Sequence, residues 1–220
     1  MTFNSHLSYA DQKELVVIDS EDALIVCRGK VHDREVHFQI NEICGITFDK
    51  CDIVAQDATL SDCCFVDCGK IECQLIKNSV LTNCDEIELN DGGMDTCIIV
   101  SPRFIRLVNC VVNNCAFNQI GHHEDIICME DTQILNCKFK KIGLCCEAYL
   151  IDAVGDSSVE DCSFVDCSTD REDLELIHCE ELVGKLFKRK KEFDITYNCS
   201  GLDNVTRGDG PIEIGSFDLD

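Results

Sequence analysis

Apolar positions along the chain follow no helical period over long stretches; they recur in a short block that returns every 16 to 25 residues. Aligned on Phe48, Phe65, Leu81, Ile99, Phe117, Phe139 and Phe164, seven copies are spaced 17, 16, 18, 18, 22 and 25 residues apart. That is the size of one coil of a solenoid rather than of a helical-pair repeat. Five residues before each anchor stand Ile43, Leu60, Ile76, Met94, Val112, Ile134 and Val159, all apolar. Two before it stand Ile46, Cys63, Ser79, Cys97, Cys115, Cys137 and Cys162, small or apolar throughout. Between these columns lie Gly45, Asp62, Asn78, Thr96, Asn114, Asn136 and Asp161, which are turn formers. Three after the anchor come Cys51, Cys68, Cys84, Pro102, Ile120, Ile142 and Cys167.

Side chains alternate along a strand, so positions minus two and zero share a face, and their composition turns that face inward. Each coil therefore predicts a short strand entered at an Asn or Asp corner and left near a glycine such as Gly69, Gly121 or Gly143. Further pairs, Ile71 with Cys73, Ile87 with Leu89 and Ile105 with Leu107, predict a second strand. Stacked coils would form parallel sheets around ladders of like residues. The expected fold is all-β: a single-domain parallel β-helix solenoid of about seven to eight coils, with Phe65, Phe117, Phe139 and Phe164 in one interior stack. Its coils occupy residues 23–179, with an N-terminal cap segment at 1–22 and a C-terminal cap helix and tail at 180–220. Leu182, Val183, Leu186 and Phe187 recur at helical spacing among Lys185, Lys188, Arg189, Lys190 and Lys191 and predict an amphipathic cap that shields the open end.

Through its [DN]-C-x-F-x-x-[CI]-[GS] coils at 62–69, 114–121, 136–143 and 161–168, the chain resembles the right-handed parallel β-helix, or pectin-lyase-like, superfamily. The resemblance spans roughly residues 23–179 and implies the fold alone, because such solenoids include lyases, hydrolases and purely binding or structural proteins. The lyase members carry calcium-binding acids and a basic residue on one outer face, and no matching column can be carried over; Arg103 stands alone. Pentapeptide solenoids would explain the five-residue steps at 63, 68 and 73 but need constant coils of about 20 residues. The left-handed hexapeptide solenoid lacks support in the spacing of aliphatics.

Charge narrows the functional classes. Against 42 acidic residues stand 19 basic ones, a net charge of -23, which argues against a partner held by phosphate contacts. No apolar run approaches a membrane span of roughly 18 residues, and the first residues lack a secretory leader's pattern, so a cytoplasmic protein is expected. The 19 cysteines include no CxxC pair; zinc-ribbon and thioredoxin-type readings fall away. Buried, reduced ladder positions explain them better than disulfides do. Asn198 and Asn204 begin glycosylation-type triplets, read as chance matches.

Candidate chemistry is sparse, and no catalytic, cofactor or metal residues are assigned. His122, His123 and Asp125 could form a metal or acid-base site, and a second long insert holds Cys145, Cys146, Glu147, Asp152 and Asp156; solvated polar loops explain both better. His6, His32, His37 and His178 show no partner pattern. The outward columns beside the anchors say more. Cys64, Val66, Val80, Thr82, Ile98, Val100 and Ala116 form an apolar strip that ends at Lys138 and Lys140, and contiguous apolar surface usually marks something that covers it, here either the chain's own N-terminal segment or terminal helix or an intermolecular partner. The expected function is a noncatalytic protein-binding or assembly module, most simply a homodimer, with no direct nucleic acid, membrane or cofactor involved. The alternatives are a carbohydrate-active lyase or hydrolase using loops 119–134 and 140–158, and an acidic decoy that inhibits a nucleic-acid-binding partner.

Overall fold

The computed structural model describes residues 13–19, 29–122, 126–145, 148–173, 175–180 and 196–207. They form a parallel β-solenoid with two hydrogen-bonded sheets of fourteen and nine strands. The fourteen-stranded sheet bends around a corner, so each coil has three faces. Its main path runs from Glu14–Ile18 to Ile177–Glu180 and makes the first face. The strands off that path, from Glu42–Cys44 to Thr196–Tyr197, make the second together with the C-terminal halves of Asp52–Ser61, Lys70–Lys77 and Glu86–Asp95. The nine-stranded sheet, from Lys30–His32 to Thr206–Arg207, makes the third. About six turns are complete rather than seven to eight. Residues 181–195, where the cap helix was expected, lie outside the described residues.

The inward columns are buried as their alternation requires. Phe48, Phe65, Phe117 and Phe139 are at most 1% exposed, and the column five residues earlier is equally closed. Registers pair equivalents directly: Phe117 with Phe139 and Phe139 with Phe164 on the third face, Ile71 with Ile87 and Ile87 with Ile105 on the first. The phenylalanines share one inward column, as expected, in which the rings group into two stacks. Phe48 lies over Phe65 at 5.2 Å, and Phe117, Phe139 and Phe164 stack at 4.8 and 4.9 Å. Leu81 and Ile99 occupy the rungs between and fill the column without rings.

Corners explain the Asn-Cys and Asp-Cys pairs. Gly45, Asp62, Asn78, Thr96, Asn114, Asn136 and Asp161 all adopt left-handed φ between 47° and 71°, a conformation open to glycine and comparatively easy for Asn and Asp. At this corner the hydrogen-bond ladder reverses direction. The amide of Asn114 donates forward to the carbonyl of Leu135, whereas that of Ala116 donates back to Cys97. The amide between them points inward, beyond reach of any backbone carbonyl on the ladder. A side chain one coil on receives it: Cys63 donates to Ser79 Oγ at 3.0 Å, Cys97 to Cys115 Sγ, Cys115 to Cys137 Sγ and Cys137 to Cys162 Sγ, each at 3.4 Å. A buried amide left without a partner is costly, which is why this column holds thiols and a hydroxyl. The corner between the first and second faces repeats the device, with Cys110 donating to Thr132 Oγ1 at 3.1 Å and Thr132 to Ser157 Oγ at 3.2 Å.

The exit corner differs from expectation. It falls two residues after the anchor, at Lys50, Asp67, Asn83, Ser101, Gln119, Lys141 and Asp166, all with φ between 50° and 57°. Gly121 and Gly143 instead pair with each other inside strands Ala116–His122 and Lys138–Leu144. Close approach between coils is what demands glycine elsewhere: a Cβ on Gly93, whose φ is +144°, would sit 1.9 Å from the Val111 carbonyl oxygen. Beyond the seven copies, Asn198 with φ +51° and Cys199 form one more such corner. Thr196–Tyr197 pairs with the Ser158–Glu160 strand, and Ser200 bridges Ser163. Residues read as tail thus add to the solenoid.

Candidate functional site

The third face carries the apolar strip. Its outward residues align in two columns by strand register. In one, Thr47 neighbours Cys64, then Val80, Ile98, Ala116 and Lys138 follow; in the other, Asp49 is followed by Val66, Thr82, Val100, Asn118 and Lys140. All seven strip residues therefore sit on adjacent strands of one sheet surface. Ile98 is 47% and Val80 38% exposed, high values for apolar side chains at mid-sheet, while the others are half-buried. The neighbouring inward residues already fill the core, so interior packing gives no reason for this surface.

Charges bound the strip at both ends. At one end the Asp49 carboxylate takes His32 Nδ1 at 3.0 Å and Lys30 Nζ at 3.4 Å. Partial burial works against its ionisation, but the hydrogen bonds from His32 and Lys30 outweigh that and hold its pKa below the usual carboxylate value. At the other end Lys138 is exposed and Lys140 half-buried.

A second cluster lies on the first face, where strand register aligns Arg106, Cys128, Asp152 and His178 in one outward column. The His178 ring stacks on Tyr149 at 4.6 Å, and the Arg171 guanidinium lies 3.9 Å from the Tyr149 ring centre. A shallow groove of about 350 Å³ beside it is lined by Phe104, Arg106, Cys128, Glu130, Asp152 and Val154, among others. In the sequence, Asp152 reads as part of an insert and His178 as partnerless. Their alignment depends on coil lengths of 22 and more residues that leave no local signal. His32 and His37 likewise have partners, Asp49 and Glu35.

His123 and Asp125 lie outside the described residues, as do Cys146 and Glu147. Among the described residues, no group of three or more His, Cys, Asp or Glu side chains is placed to hold a metal ion. No described helix is long and apolar enough to cross a membrane.

Cysteine chemistry follows burial. The described cysteines are reduced thiols; Cys44 is exposed, Cys64, Cys128, Cys179 and Cys199 are intermediate, and the rest are buried. Burial pushes the Cys63 and Cys167 thiols up to about 11, and the hydrogen bond with Cys137 helps push Cys115 up to about 12. Such thiols stay protonated and are poor nucleophiles.

The class of protein these features define is a parallel β-solenoid with a cysteine-lined interior, resembling the β-helix proteins at the level of fold. No protein-family model matches the chain, and no curated relative matches it either.

Proposed function

We propose that the protein is a noncatalytic assembly module of the cytoplasm that associates with a second copy of itself through the third face. The carrying observation is the exposure of Val80 and Ile98 at the centre of a strip that four successive strands build. Reduced thiols throughout the described residues suit a reducing compartment. With a net charge of -23, casual contacts between copies are repelled, so association needs a desolvated apolar centre. Sedimentation tests the reading: the wild type should form dimers, and Val66→Asp with Val100→Asp should yield folded monomers. A wild type that stays monomeric at high concentration overturns it.

A second reading, a carbohydrate-active lyase or hydrolase, draws on the Tyr149, His178 and Arg171 cluster beside the first-face groove. Incubation with neutral and acidic polysaccharides tests it, and turnover lost in a His178→Ala variant would replace the assembly reading. The acidic decoy rests on charge alone.

A further inference from the structure

We propose that the two solenoids pack third face to third face with their axes antiparallel, so that Lys140 of each copy meets Asp49 of the other. This rests on the self-association reading above and adds its geometry. A twofold axis relating two faces in contact must lie in the plane between them, since it exchanges the two sides. Two orientations then overlay the strip on itself.

If the axis runs along the solenoid, each coil meets its own copy, and Lys138 faces the other chain's Lys140. Four lysines would crowd one end of the contact, and like charges juxtaposed across an interface are strongly unfavourable. If the axis instead runs along the strands, between Thr82 and Val100, coil order is reversed across the interface. Val80 then faces Ile98, Cys64 faces Ala116, Thr82 faces Val100, and Asp49 faces Lys140. The last match follows from counting rungs. Asp49 lies two strands before Thr82, and Lys140 lies two strands after Val100, in the same outward column. The Asp49 carboxylate and the Lys140 ammonium therefore lie at equal distances on opposite sides of the strip's centre, while Lys138 faces Thr47.

Side-chain reach agrees. Packed sheets lie about 10 Å apart, a gap that a short aspartate and an extended lysine can close together. Asp49 remains anionic because His32 and Lys30 both contact Oδ2 and hold the carboxylate in place.

The contact is small. Two outward columns over six strands give each copy a footprint of roughly 10 Å by 25 Å, well below the roughly 800 Å² per partner that specific stable complexes bury. Association is accordingly weak, and end charges carry more weight in choosing the orientation than they would in a large apolar interface.

One substitution separates the orientations by sign. Lys140→Glu should weaken dimerisation about tenfold or more, because the new carboxylate would oppose Asp49 of the other chain. In the parallel arrangement the same change would set a carboxylate against Lys138 and tighten the dimer. A tightened or unchanged dimer overturns the antiparallel arrangement and leaves the assembly reading standing; a monomeric wild type removes both. Carbodiimide coupling of the wild-type dimer supplies the direct measurement. An Asp49 to Lys140 amide should appear in the dimer band alone, since the two residues of one chain are about 24 Å apart, five strand spacings. Couplings in that band that exclude this pair count against the proposal.

Discussion

The backbone amide of Cys97 donates to the sulfur of Cys115, one coil onward, at 3.4 Å. Cys115 in turn donates its thiol proton to the carbonyl of Asn113 at 3.3 Å, and Ser79 does the same with Lys77 at 2.6 Å. The column needs a small side chain that both accepts and donates. Cys115→Ser should therefore cost under about 1.5 kcal/mol, whereas Cys115→Val, similar in size and more apolar, should cost about 1–3 kcal/mol by stranding the Cys97 amide. Urea unfolding of the two variants checks the order. Valine tolerated better than serine would mean that these cysteines are plain core residues.

Phe117 is 1% exposed and stacks on Phe139. Its replacement by alanine should cost about 3–5 kcal/mol through lost burial and the cavity left. Lys138, exposed on the next strand, should cost under about 0.5 kcal/mol when changed to alanine. Denaturation at low protein concentration, where association plays no part, measures both; equal small effects would contradict the register.

The φ of Asn114 is +53°. Alanine there should destabilise by about 1–2 kcal/mol, since a Cβ without a polar partner disfavours this region. Glycine should be close to neutral. Thermal melts of Asn114→Ala and Asn114→Gly decide this, and the corner account fails if alanine is the better tolerated.

Alkaline pH should unfold the protein through its thiols. Cys63 and Cys167 ionise near 9.0 when unfolded and near 11 when folded, so above pH 9 the unfolded chain sheds protons that the folded chain keeps. Stability is then full below about pH 9 and is lost as pH rises through 11, by up to about 1.4 kcal/mol per pH unit for each such thiol. Denaturant titrations from pH 7 to 11 should show this slope. Flat stability across that range would mean that the thiols are accessible. Among the described cysteines, maleimide labelling at pH 7 should mark Cys44 first.

The entry corner was legible because its residues are selected locally. Asn, Asp and Gly reveal a left-handed position whatever the rest of the coil does, and Thr96 joined them only through alignment. The exit corner was not, because Lys50, Ser101, Gln119 and Lys141 adopt the same φ as Asp67, Asn83 and Asp166, so its column shows no uniform turn-forming type. Gly121 and Gly143 drew attention to the wrong place for the same reason. The strip residues were readable from alternation on short strands. The stacking of Tyr149 on His178 was not, since it joins residues from consecutive coils whose long inserts carry no periodic signal.

Interchangeable rungs carry a hazard during folding. A coil that docked one rung out of place would still meet thiols with thiols and rings with rings, and Phe117, Phe139 and Phe164 could trade positions with little penalty. Leu81 and Ile99 break that equivalence, because a slipped coil would change which rings meet rings and which meet aliphatic side chains. Unequal coils add to the discrimination: with spacings between 16 and 25 residues, most whole-coil slips leave surplus chain that no corner can absorb. The irregularities that make the repeat hard to see thus serve as alignment marks, distinguishing the native stack from its near copies.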